Sequence, residues 1–196
     1  MYHRVVSEHE ISHCPSHDGI IISKAAFEKQ MRFLRDRFNV LSLNDFIDCI
    51  EGRRAFGYKS CLVTFDDGWK DNYQNAYPLL KEIGIPAVIF ITTDFVGTGK
   101  LFWQERITGL LCRLYDTSKS DRDFPSCFLR EFPDKKIEHI LMSVRGNLRG
   151  EIYKYISILK KKSKEEIESI IQRLSELTGK SGNGDSTEKD FMNWDE

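Results

Sequence analysis

The run Ser60-Cys61-Leu62-Val63-Thr64-Phe65-Asp66-Asp67-Gly68 decides the fold class. Its first part, SCLVTF at residues 60–65, is a short continuous apolar run of the kind buried on both faces of a parallel sheet. It ends abruptly in two carboxylates and a glycine that lets the chain turn sharply away. The C-terminal end of a buried strand is where α/β proteins and barrels place their active sites. Successive strand side chains point to opposite sides, so Asp66 and Asp67 are not expected to share one job. One suits a metal ion, and its neighbour suits a water or substrate proton. The competing reading makes one aspartate a cap for the following helix, a role also open to Asp71 or Asn72.

Downstream, Tyr73, Ala76, Leu79, Leu80 and Ile83 recur at helical spacing over residues 71–83, and Gly84 is placed to close the helix. Pro78 marks either the first turn of the regular helix, with a looser turn before it, or a kink. AVIFIT, residues 87–92, reads as a second buried strand. Strand, helix and strand make a βαβ unit, right-handed in about 98% of cases. Upstream, Ser23 is placed to cap a helix carrying Phe27, Met31 and Leu34 and ending near Phe38. A short helix follows over residues 44–50, then a loop punctuated by Gly52 and Gly57. Residues 1–6 read as the tail of a first strand.

Beyond residue 100 the strand signals fade. Ser163 and Glu166 form a capping-box pattern before Ile167, Ile170, Ile171, Leu174 and Leu177, with Gly179 as the stop. Ile152, Tyr155, Ile156 and Leu159 give another apolar stripe. KSGNGDST, residues 180–187, has loop composition. The expected organisation is α/β over 1–99, a helical insertion over 100–186, and a returning segment over 187–196. That last segment, with Phe191, Met192 and Trp194, opens an apolar face and then stops, so the chain is expected to be part of a longer domain.

Composition sets the outer limits. The 196 residues carry 29 basic and 30 acidic side chains, a net charge of -1 that offers no footprint for nucleic acid or an anionic membrane. No run approaches the roughly 18 apolar residues of a membrane span, and MYHRVVSEHE lacks the apolar core of a signal peptide. The cysteines, Cys14, Cys49, Cys61, Cys112 and Cys127, are scattered and never in C-x-x-C spacing. A disulfide framework or zinc knuckle needs closer, paired spacing. Cys61 reads as a small buried hydrophobe. A reducing, cytoplasmic setting is the simplest expectation if the N-terminus is complete; otherwise the cell envelope or exterior is open.

TFDDGWKDNY at 64–73, the G-x-P-A-x-x-F pattern at 84–90 within AYPLLKEIGIPAVIFITTDFVGT, and Phe102-Trp103 together resemble the polysaccharide deacetylase family, whose catalytic unit is the NodB homology domain. The resemblance runs from YHRV at 2–5 through FEKQMRFL and FNVLSLNDF to about Trp103, and resumes at FMNWDE. It implies a deformed (β/α) barrel, here partial, that hydrolyses N-acetyl or O-acetyl groups from a carbohydrate substrate. It also implies that Asp66 is the general base and Asp67 a ligand to a divalent metal, usually zinc. Two histidines in a later H-[ST]-x-x-H motif complete that metal site in the family. A three-ligand site leaves a position open for water and lowers its pKa towards ~7. Asp66 would take the proton of that water as it attacks.

The sequence departs from the pattern after Asp67. His139 is the sole later histidine, and no H-[ST]-x-x-H follows. The two histidine ligands are therefore expected beyond residue 196. His9, His13 and His17 are spaced by four, but Pro15 and the surrounding Ser12, Ser16, Asp18 and Gly19 favour a solvated loop. They also precede the aspartates, the wrong order for the family's pair. Trp69 and Tyr73 border a sugar groove or pack the helix onto the sheet. Thr93, with Thr92 and Asp94, ends the second strand on the rim that holds Asp66. Trp103 with Phe102 offers a stacking face for a sugar or packs in the core. Trp69, Thr93 and Trp103 are the substrate-binding candidates. The alternative function is a non-catalytic relative that binds glycan or a protein partner. A glycosidase fits poorly, because its carboxylates flank the bond about 5 to 9.5 Å apart. No phosphate-cradling glycine loop precedes a helix.

Overall fold

The computed structural model describes residues 1–11, 14, 16, 18–120, 137, 148–179 and 190–196. His13, His17, His139, Cys127 and the loop expected at 180–187 lie outside them. The chain divides into two units, one of Met1–Cys14, Ile20–Gly99 and Glu188–Glu196, the other of Pro15–Gly19 and Lys100–Thr187.

In the first unit, helices and short parallel strands alternate. They are β1 (Arg4–Val6), β2 (Ile21–Ser23), α1 (Lys24–Arg37), β3 (Asn39–Val40), α2 (Leu43–Ile50), β4 (Ser60–Cys61), β5 (Thr64–Phe65), α3 (Tyr77–Ile83) and β6 (Val88–Ile89). Serine caps start the first two helices: Ser23 Oγ accepts from the Ala26 N–H, and Ser42 Oγ from the Asp45 N–H. Strands β1 and β2, β3 and β4, and β5 and β6 pair in parallel, with Thr64 opposite Val88 and Phe65 opposite Ile89. A further parallel bridge joins Tyr2 to Phe65. The core gathers Val5, Phe27, Met31, Val63 and Phe65 under Ala76, Leu79, Leu80, Ile83 and Ile85. Tyr2 meets Phe27 edge-on at 5.1 Å, and Phe27 lies 5.7 Å from Phe65.

Two strand expectations are corrected. SCLVTF is not one ladder: residues 60–61 pair with β3, residues 64–65 pair with β6, and Cys61 is half-buried. AVIFIT is not buried on both faces, because the ladder spans only Val88–Ile89 and Phe90 is 58% exposed. The described strands form three two-stranded ladders and no closed sheet, so the barrel expectation reduces to an α/β arrangement.

Between β5 and α3 the chain makes a wide π-helical turn, Asn72–Ala76, in which the Tyr77 N–H reaches back to the Asn72 carbonyl. Pro78 then sits in the first turn of α3, where its missing N–H costs nothing. The looser turn before a regular helix is what forms, not a kink. Gly84, at φ 77°, closes α3 by donating its N–H to the Leu80 carbonyl.

The second unit is helical: α4 (Trp103–Ser120), α5 (Leu148–Leu159) and α6 (Lys164–Thr178). Ile107, Leu111 and Leu114 meet Ile152, Ile156, Ile171 and Leu174 in one core. Ser163 and Glu166 form the reciprocal capping box of α6, and Gly179 ends it in the left-handed conformation. Among the described residues no helix is long and apolar enough to cross a membrane.

Candidate active site

Strand pairing puts β5 and the chain leading into β1 side by side. The Tyr2 N–H donates to the Thr64 carbonyl at 2.8 Å, and the Asp66 N–H donates back to the Tyr2 carbonyl at 3.0 Å. The residues one step further on, His3 and Asp66, therefore emerge as neighbours. His3 Nε2 lies 3.9 Å from Asp66 Oδ2, with the two side chains 24% and 32% exposed. An imidazole and a carboxylate, both solvent-accessible, thus share the end of the strand. His3 carries no motif of its own in the sequence. The family resemblance puts His3 at a strand end near the site with no role attached, and the Tyr2–Phe65 pairing is what brings it to Asp66.

Asp67 takes a different path. Its φ is 75°, the left-handed region, which a non-glycine residue enters at a cost and which aspartate tolerates better than most. Its carbonyl accepts the Thr92 N–H at 3.3 Å, and its Oδ2 accepts the Trp69 indole N–H at 3.1 Å. Gly68 is also left-handed, at φ 77°, and a Cβ there would sit 3.0 Å from Ile91 Cγ2. Two consecutive left-handed residues reverse the chain tightly after β5. The doublet consequently splits: Asp66 faces an imidazole and Asp67 an indole.

Beneath the turn, Trp69 is fully buried. Its ring stacks on Phe191 at 4.4 Å, and the Arg4 guanidinium lies 4.3 Å from the ring centre. Arg4 Nε donates to Asp71 Oδ2 at 2.8 Å, and the Val5 N–H donates to Asp71 Oδ1 at 2.8 Å. Burial pushes the Asp71 carboxyl up, opposed by the Arg4 charge and the hydrogen bonds. Burial also works against the Arg4 charge, and Asp71 with smaller neighbouring effects more than offsets it, leaving the guanidinium raised. The expectation that Asp71 or Asn72 caps the next helix is corrected: neither does. Asp71 holds β1, and Asn72 Nδ2 donates to the His3 carbonyl at 2.7 Å, fixing the backbone that carries the imidazole.

The remaining candidates separate. Trp69 offers no face to a sugar, because both sides of its ring are covered. Thr93 is exposed and follows Thr92, the residue clamped to Asp67. Trp103 starts α4 in the second unit and packs against that unit's core, which accounts for its aromatic ring without a ligand. Tyr73 stacks on Tyr77, ring centres 5.7 Å apart. His9 lies in a turn. Among the described residues no three His, Cys, Asp or Glu side chains converge to hold a metal ion. Asp67 is a single candidate ligand, not a completed set.

Residues 53–114 match the family model described as polysaccharide deacetylase. Over these residues the chain is similar to the polysaccharide deacetylase family. The chain is 34% identical over 94 residues to YxkH of Bacillus subtilis, a protein bearing the polysaccharide deacetylase name; the match covers 47% of this chain and 33% of YxkH. It is 36% identical over 77 residues to a poly-β-1,6-N-acetyl-D-glucosamine N-deacetylase of Staphylococcus aureus, covering 39% of this chain and 26% of that protein. The alignments therefore span about a third or less of these relatives. Among solved structures, IcaB from Ammonifex degensii matches at 31% identity and a TM-score of 0.43, over 54% of this chain and 44% of its own. A de-N-acetylase from Aggregatibacter actinomycetemcomitans matches at 27% identity and a TM-score of 0.42, over 50% and 37%.

Proposed function

We propose that the protein takes part in hydrolytic removal of acetyl groups from an N-acetylated or O-acetylated carbohydrate, as part of a polysaccharide deacetylase. The observation that carries this reading is the Asp66–His3 pair at the end of β5, beside an Asp67 held separately by Trp69. Asp66 acts as general base: it accepts a proton from water as the water oxygen bonds to the acetyl carbonyl carbon. The tetrahedral adduct then collapses, the carbon–nitrogen bond breaks, and His3 in its protonated form donates to the departing nitrogen. Acetate and a free amine result, or acetate and a hydroxyl from an O-acetyl substrate. Asp67 is the residue this chain would offer to a divalent metal, zinc by family resemblance, whose chemistry is to acidify water and polarise a carbonyl.

Acetate release from oligomers of N-acetylglucosamine tests the reading. Asp66→Asn is expected to lower turnover by about 10²-fold or more while leaving the fold intact. Unaltered turnover in that variant removes Asp66 from its role. Binding of the oligomer with no acetate released, by the protein in its full natural length, would favour a non-catalytic glycan-binding relative instead.

A further inference from the structure

Resting on the reaction proposed above, we propose that Trp69 is a positioning residue for Asp67. Asp67 is an aspartate in a left-handed turn, and such a carboxylate needs a donor to fix its orientation. Among the described residues its one side-chain hydrogen bond is from the Trp69 indole N–H, at 3.1 Å to Oδ2. The indole is immobilised on both faces, by Phe191 stacked at 4.4 Å and by the Arg4 guanidinium at 4.3 Å. Arg4 is itself held by Asp71 at 2.8 Å, and Asp71 by the Val5 N–H at 2.8 Å. An ordered line therefore runs from the backbone of β1 through Asp71, Arg4 and Trp69 to one oxygen of Asp67. That oxygen is committed to the indole, and the other stays available to a cation or substrate. Carboxylates that ligate a metal depend on such outer partners, and losing one costs about 10- to 100-fold in metal affinity or activity.

A buried indole also needs an acceptor for its own sake, so packing and positioning must be told apart. Trp69→Phe keeps an aromatic ring between Phe191 and Arg4 and removes only the donor. It is expected to fold, with a melting temperature within a few degrees of the parent, and to lower kcat for acetate release by about 10- to 100-fold at unchanged KM. Independently of activity, the Trp69 indole N–H resonance of the full chain should exchange slowly with solvent. It should move in Asp67→Asn, which tolerates the left-handed turn and removes the charge, while the Trp103 and Trp194 indole signals stay put. A Trp69 signal indifferent to Asp67→Asn, or a folded Trp69→Phe with the parent's kcat, overturns the proposal. Should Trp69→Phe not fold, the resonance decides alone. A parent protein that releases no acetate but whose Trp69 signal responds supports the positioning and overturns the reaction.

Discussion

Asp71 and Arg4 show how much one side chain can cost in the first unit. Both are nearly buried, and each is the other's charge partner. Asp71→Ala removes the main charge partner of a buried guanidinium and leaves it the Asp190 charge and the Trp69 ring, a change worth up to about 3–5 kcal/mol. A urea unfolding curve of that variant should show a much lower midpoint, and a midpoint near the parent's would show that Arg4 finds water or another partner. Asp71→Asn keeps an acceptor for the Val5 N–H and is expected to fall between the two. Gly68 carries a different constraint. Gly68→Ala meets φ 77° and places its Cβ 3.0 Å from Ile91 Cγ2, for a loss of about 1–3 kcal/mol. Adding Ile91→Ala should recover part of that loss and not all, since removing the neighbour relieves contact but leaves the backbone strain. Full recovery would assign the whole cost to crowding.

Helix α6 owes its start to Ser163 and Glu166, whose reciprocal bonds satisfy backbone N–H groups that the helix leaves over. Ser163→Ala should cost about 1 kcal/mol, read as a lower thermal midpoint of the helical signal. Glu166 is held below the usual carboxylate range by Lys162 first and by the Ser163 N–H next. Its contribution is therefore complete above the unfolded-chain pKa and is lost as pH falls through the lower folded value. Acid weakening of α6 in the parent and none in Glu166→Gln is the expected contrast. Caps of this kind were legible in the sequence because they are local: Ser23, Ser163, Gly84 and Gly179 each act within a turn of their own position. Strand burial was not. An apolar run such as AVIFIT announces a strand without saying what covers it, so the exposure of Phe90 had no local signature. The doublet Asp66-Asp67 was legible as chemistry, but His3 joins it only through the Tyr2–Phe65 pairing, a register that spacing along the chain does not encode.

The first unit is assembled from both ends of the sequence. Its closing segment is tied to the turn after β5 by the Lys70 N–H to the Asp190 carbonyl at 2.9 Å and the Met192 N–H to the Gly68 carbonyl at 3.0 Å. The Gly97 N–H reaches the Met192 carbonyl at 2.9 Å, so the same segment also secures the chain after β6. Contacts this distant in sequence form late and slowly, since the loop entropy precedes the reward. Phe191 is where the reward is concentrated: it stacks on Trp69 and lies 5.1 Å from Phe95, fully buried. Phe191→Ala removes that ring and should cost about 3–5 kcal/mol. Placed in a Trp103→Phe, Trp194→Phe background, Trp69 becomes the sole indole and reports its own surroundings. The Phe191→Ala variant is then expected to show red-shifted emission and an earlier urea transition, because one face of the indole gains solvent. Unchanged emission with a lower midpoint would mean that Arg4 and the turn hold Trp69 without Phe191, and that the closing segment stabilises the unit without shaping the site.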